Sequence, residues 1–265
     1  MRLSEHLKKA SLVGAFFVSV VYSVPALALC STSERLKPVA VAKVVDGDTL
    51  RLTDGRSVRL IGLNTPEMGR GGRSAEPYAR EAKQRLQQLV DASGRKVGLR
   101  PGRQSADRYG RLLAHAYDAR GNNLEAALLA EGLGYFVAIS PNTELVACHQ
   151  AAERRARIAA RALWSKRPVK PARSLNSGGF ALISGRVQRV DRNRGGVWLQ
   201  LDGPVVLQVP AKALREFEAL LRPIQPGTRV EVRGWVVDRR SRDGRRDRAP
   251  WLMPVTHPSM LSVRR

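Results

Sequence analysis

The run Asp46-Gly47-Asp48-Thr49 places two carboxylates on a tight turn between two strand-like segments, and Asn64-Thr65-Pro66-Glu67 ends a third. Taken alone, Asp-Gly-Asp is ordinary hairpin chemistry. Its neighbours change the reading. Arg59, Glu67 and Arg111 fall at the ends of strand-like segments in the same stretch, where one small barrel can gather carboxylates and guanidinium groups. Such a grouping offers hard oxygen donors to a cation and forked N–H donors to an anion.

The charge balance supplies the anion. The 265 residues carry 46 Lys and Arg against 23 Asp and Glu, a net charge of +23. A chain this basic calls for a polyanionic partner, nucleic acid first and an anionic membrane surface second. An apolar content of 43% is ample for packed cores and excludes a disordered chain.

The elements that must position these residues are legible from periodicity. Strands are expected over Val39–Val45, Thr49–Leu52, Ser57–Ile61, Val97–Arg100 and Leu112–Tyr117. A helix interrupts them, with Pro77 as its first residue and Tyr78, Ala82, Leu86 and Leu89 at helical spacing up to Val90. Two more helices follow, Asn123–Gly132 and Asn142–Trp164, the second with an Arg-rich face (Arg154, Arg155, Arg157, Arg161). Three strands, a helix and two strands is the order of a five-stranded Greek-key barrel of the oligonucleotide-binding type. Residues 165–179 turn to Lys, Pro, Ser, Asn and Gly and read as a linker. The same element order then returns over 180–263, so the fold class is α+β: a barrel with three helices over 29–164, then a second small barrel.

Residues 1–28 read as a targeting segment, with basic Arg2, Lys8 and Lys9, an apolar run Leu12–Val24 and the small-residue end Pro25-Ala26-Leu27-Ala28. Export to the periplasm or the medium is expected, with membrane contact only if that segment stays uncleaved. In an oxidising compartment Cys30 and Cys148 either form a bridge or remain a loose and a buried thiol.

Three motifs in order, Val45-Asp46-Gly47-Asp48-Thr49, Val58-Arg59-Leu60-Ile61-Gly62-Leu63-Asn64-Thr65-Pro66-Glu67 and Asp107-Arg108-Tyr109-Gly110-Arg111-Leu112-Leu113-Ala114, resemble the staphylococcal (thermonuclease) nuclease family. The resemblance covers about Val39 to Trp164 and implies a metal-dependent phosphodiesterase. It implies that Asp48 and the Thr65 main chain help bind a calcium ion, with Asp46 a nearby acidic partner and Asn64 at the second carboxylate position. It makes Glu67 the general base and Arg59 and Arg111 the phosphate clamps, and puts Arg108 and Tyr109 in contact with nucleic acid. Asn64 brings an amide oxygen but no charge, so weaker calcium binding or another divalent ion is expected. Val137 and Ile139 stand where base-stacking tyrosines are found in well-known members, so no base preference carries over.

Other candidates carry less. Arg70 and Arg73 lie in a Gly-rich basic loop that either tracks a nucleic-acid backbone or is simply solvated. His115 reads as a packed or surface residue, and His149 has no second Cys-His pair to make a zinc site. In the second barrel the run Arg239–Arg248 falls in a loop that in such folds lies beside the ligand, and either contacts nucleic acid or is a disordered hairpin tip, with Trp198, Trp235 and Trp251 read as core. The expected partners are DNA or RNA, with no stable protein partner implied. The alternatives are a nucleic-acid binder that lost catalysis with its carboxylate, and an anchored protein whose second barrel binds a partner protein or envelope polymer.

Overall fold

The computed structural model describes residues 30–69, 71–72, 74–240 and 249–264. The expected targeting segment over 1–28, Arg70, Arg73 and positions 241–248 of the Arg-rich run lie outside the described residues.

Alternating burial sets the first sheet. In chain order come β1 (Pro38–Asp46), β2 (Thr49–Leu52), β3 (Ser57–Leu60), the two-residue β4 (Leu63–Asn64), α1 (Ala79–Ala92), β5 (Lys96–Ala106), β6 (Leu112–Tyr117), α2 (Leu124–Glu131), β7 (Tyr135–Phe136) and α3 (Val146–Ile158). Five of the strands close into a barrel in the order β1-β2-β3-β6-β5, and β4 pairs only with β7. Val41, Val44, Leu50, Leu52, Val58 and Leu60 are buried, and α1 adds Ala82, Leu86 and Val90 at four-residue spacing. Each Leu or Val so buried stabilises the fold by roughly 1.5–3 kcal/mol.

Two helix boundaries differ from the sequence reading. α1 begins at Ala79, because Tyr78 adopts φ 69° and a left-handed residue cannot belong to a right-handed helix. Pro77 therefore stands in the turn before it. The third helix is confined to Val146–Ile158. Asn142 is held outside it, where its side chain both accepts from and donates to the Gln104 main chain on β5 at 2.9 Å. At the other end, positive φ at Ala160 and Ala162 breaks the helix before a 3-10 turn carrying Trp164.

Cys30 and Cys148 form a disulfide, with Cα atoms 5.6 Å apart and a sequence separation of 118. Closing a loop of that size restricts the unfolded chain by about 4–5 kcal/mol.

The second barrel follows through β8 (Val169–Pro171), β9 (Gly179–Asn193), β10 (Gly196–Leu201), β11 (Val205–Pro210), α4 (Leu214–Leu221), β12 (Arg229–Asp238), β13 (Trp251–Pro254) and β14 (Leu261–Arg264). Their order is β14-β12-β13-β11-β10-β9-β8, and β12 also pairs with β9, which closes five strands and leaves β8 and β14 outside. The architecture is thus α+β, with two five-stranded barrels and four helices among the described residues. The stretch expected as a linker contains β8, which runs parallel to β9, and buries Ala172 and Leu175. Of the three tryptophans expected in the core only Trp251 is buried; Trp235 is 38% exposed, and Trp198 is half-buried with its indole N–H bound to Asn193.

The barrels meet along a closed seam. Trp164, Ala156 and Leu182 pack together with Tyr135, Val169 and Phe180. Arg157 forms a bidentate pair with Glu231 at 2.6 and 2.8 Å, and Arg233 binds Glu153 at 2.7 Å.

Candidate active site

The β1–β2 turn is folded inward. A side chain on Gly47 would come within 2.7 Å of Ala82 and 2.8 Å of Thr65, so only glycine lets the turn lie against α1 and the end of β4. That approach brings Asp48 to Thr65, whose main-chain N–H donates to Asp48 Oδ2 at 2.9 Å. The Thr49 hydroxyl donates to Asp48 Oδ1 at 3.1 Å, and Asp46 Oδ1 accepts the Asp48 N–H at 3.2 Å. Asp46 and Asp48 are only 8% and 6% exposed.

Arg59 faces Thr49 across the β2–β3 register and turns into the same space. Its guanidinium pairs with Asp48 Oδ2 and donates to Asn64 Oδ1 at 3.2 Å. One guanidinium thus spans the two positions assigned to a metal. Burial first, and then the charge and side-chain contact of Asp48, push the Asp46 carboxyl up to about 6. Two carboxylates, the Asn64 amide oxygen and the Thr65 carbonyl are hard donors, and this set fits a hard divalent cation. Among the described residues no group of three His, Cys, Asp or Glu could hold a metal, so the remaining ligands would be neutral oxygens.

Among the described residues no hydrogen bond or ion pair joins Glu67 or Arg111 to this cluster. Glu67 is exposed, and its main-chain N–H donates to Glu76 Oε2 at 2.9 Å. Arg111 is held by Asp107, its Nε 2.8 Å from Oδ2. Burial alone would raise the Asp107 carboxyl, but bonds from Arg111 and from the Arg111 and Tyr109 N–H groups outweigh it and hold it below its usual value. Tyr109 is 68% exposed, with the Arg108 guanidinium 4.8 Å and the Arg111 guanidinium 5.6 Å from its ring centre. A basic, aromatic tip results. Val137 is buried and Ile139 exposed, so neither offers a stacking face.

A buried polar network was not legible beforehand. His149 Nε2 lies 2.9 Å from Asn123 Oδ1, Asn123 donates to Glu125 at 2.7 Å, and Glu125 Oε1 lies 3.1 Å from His115 Nδ1. Burial, then the neighbouring His115, push His149 down to about 3, so it is neutral. His115 is packed, in keeping with one of its two readings, and His149 ties α3 to the N-cap of α2. The one local signal was Asn123 as a cap; Glu125 stands two residues from Asn123 but ten from His115, and His149 is 26 from Asn123, too far to be paired by spacing. Thr49 was missed too, although it stands inside the Asp-Gly-Asp-Thr run.

Comparison with known proteins agrees with this geometry. Residues 57–166 match the family model described as Staphylococcal nuclease homologue. The chain is 31% identical over 147 residues to the SPbeta prophage-derived endonuclease YokF of Bacillus subtilis, covering 54% of this chain and 49% of that protein. It is 30% identical over 128 residues to the thermonuclease of Staphylococcus hyicus, covering 47% of this chain and 74% of that protein. The chain thus spans about half the length of the first of these relatives. With the inward-folded turn, the Arg59 partner and three quarters of a thermonuclease accounted for, the chain belongs to the staphylococcal nuclease family.

Proposed function

We propose that the chain is an exported, cation-dependent nuclease that hydrolyses phosphodiester bonds of DNA, RNA or both. The observation that carries this reading is the buried Asp46–Asp48 pair on the inward-folded turn, with Arg59 paired to Asp48 and with Glu67 and Arg111 on solvent-facing stretches of the same barrel. Relatives named endonuclease and thermonuclease support it.

Asp48, Asp46, Asn64 and the Thr65 carbonyl would hold calcium or another hard divalent cation, which would withdraw charge from the scissile phosphate. Arg59 and Arg111 each present a planar fork to the equatorial oxygens, where charge builds as the attacked phosphorus passes through its transition state. Glu67 takes a proton from the attacking water as the new P–O bond forms and the old ester bond breaks; the leaving oxygen takes its proton from solvent water, and Glu67 returns its own to solvent. Arg108 and Tyr109 contact the strand. The Cys30–Cys148 bridge supports an oxidising compartment and hence export.

One observation favours a second reading. Arg59 already spans Asp48 and Asn64, which suits a binder that neutralises its own site. The test is degradation of single- and double-stranded DNA and of RNA with calcium, magnesium or chelator, beside Glu67→Gln. Cation-dependent cleavage that falls about 10²–10⁴-fold in the variant supports the enzyme. No cleavage with salt-sensitive binding retained would replace it by the binder.

A further inference from the structure

The candidate site rests on a sheet too small to stand alone. β7 has two residues and pairs with β4 through Leu63 opposite Phe136 and Asn64 opposite Tyr135, extended by the Val137 N–H bound to the Gly62 carbonyl at 3.1 Å. An isolated two-stranded pair is marginal, and its outer edge exposes main-chain groups that need partners.

Those partners are side chains, and most come from the second barrel. The Phe136 N–H donates to Glu153 Oε1 at 2.8 Å, and the Phe136 carbonyl accepts from Arg233 Nη1 at 3.1 Å. The same Arg233 nitrogen lies 2.7 Å from both Glu153 oxygens. The Ala138 N–H points to Met260 Sδ at 3.1 Å. Together Glu153, Arg233 and Met260 stand in for a third strand. Arg233 and Glu153 are 11% and 7% exposed, so losing the cation would leave a buried carboxylate uncompensated beside the β7 edge.

Little slack separates that edge from the site. A side chain at Gly134, just before β7, would run into Leu63 and come within 3.3 Å of the Asn64 carbonyl. A shift of β7 therefore passes to β4, to Asn64 and its contact with Arg59, and to Thr65 and its bond to Asp48.

We infer that the second barrel completes the site, and that Arg233 is a positioning residue which, through Glu153 and Phe136, sets the strand carrying Asn64 and leading to Thr65. The inference rests on the nuclease reading for its catalytic consequence but not for its structural one. The test uses the full chain with Arg233→Met, Arg233→Lys and, as control, Arg157→Gln, which breaks the other ion pair across the seam without touching β7. Amide hydrogen exchange is read without cation or substrate, and kcat, KM and the half-saturating calcium concentration are read with them.

In Arg233→Met, exchange at 62–65 and 136–138 rises while that of β10 and β11 does not, and kcat falls or the calcium requirement rises about 10–100-fold with KM little changed. Lys recovers part of the loss, and Arg157→Gln resembles the parent. The inference is overturned if Arg233→Met leaves those amides protected, or if Arg157→Gln reproduces its effects, since docking in general would then be responsible. Should the parent chain not cleave, the nuclease reading fails and exchange alone decides the positioning role.

Discussion

The two barrels close five strands in the same way and treat their first hairpin oppositely. In the first, the turn after β1 folds inward and buries Asp46 and Asp48 against α1 and Thr65, with Arg59 paired to Asp48. In the second, the turn after β9 stays on the surface. Asn193 Oδ1 there accepts the Gly195 N–H at 2.8 Å and the Trp198 indole N–H at 3.0 Å, while Asp191 pairs with the exposed Arg189. On β11, Gln208 only donates to the Gly195 carbonyl at 3.3 Å. A turn that hydrates or pairs its polar groups closes a chain at little cost. A turn that buries two carboxylates side by side costs stability through desolvation and mutual repulsion, so the barrel topology itself says nothing about chemistry.

The sharpest way to break this contrast is to remove the two side chains that face the turns. Arg59→Ala should lower kcat for phosphodiester cleavage about 10³-fold or more, whereas Gln208→Ala should change it by less than about twofold. Comparable losses in steady-state assays would show that the second barrel takes part in chemistry directly.

A smaller effect tests the buried charge. The Asp46 value rises from 3.8 to about 6 on folding, so the native state holds its proton more tightly than the unfolded chain. Stability is then lost as pH climbs from roughly 4 to 6 and stays lower above. Asp46→Asn lacks that loss and should be more stable than the parent by about 1–3 kcal/mol at neutral pH in chelator, with the gap closing below roughly pH 4. His149, depressed by burial, adds the opposite slope in both proteins, so urea unfolding of the pair across pH isolates Asp46. No gap at neutral pH would mean that the turn carries no electrostatic cost. The smallest change belongs to the surface turn: Asp191→Ala should alter stability by less than about 0.5 kcal/mol at any pH. A larger effect there would erase the distinction between the two hairpins.

The sequence alone was enough for the two barrels, the strands of the first and the Asp-Gly-Asp turn, because alternation and turn residues are local properties; the grouping of Asp48, Asn64 and Thr65 came with the resemblance to a nuclease family, and Glu67 and Arg111, expected with Arg59, stand apart from it. Tertiary structure decided the rest. Pro77 lost its helix position to the φ of Tyr78, while Asn142 was taken from α3 by β5 and β8 grew out of the expected linker, both through contacts with another segment. The Cys30–Cys148 bridge, the His115–Glu125–Asn123–His149 network and the reach of Arg233 to Glu153 and Phe136 likewise join residues far apart in the chain. Burial converts such meetings into energy, since a carboxylate, an imidazole or an edge carbonyl removed from water must find its partner wherever the fold has placed one.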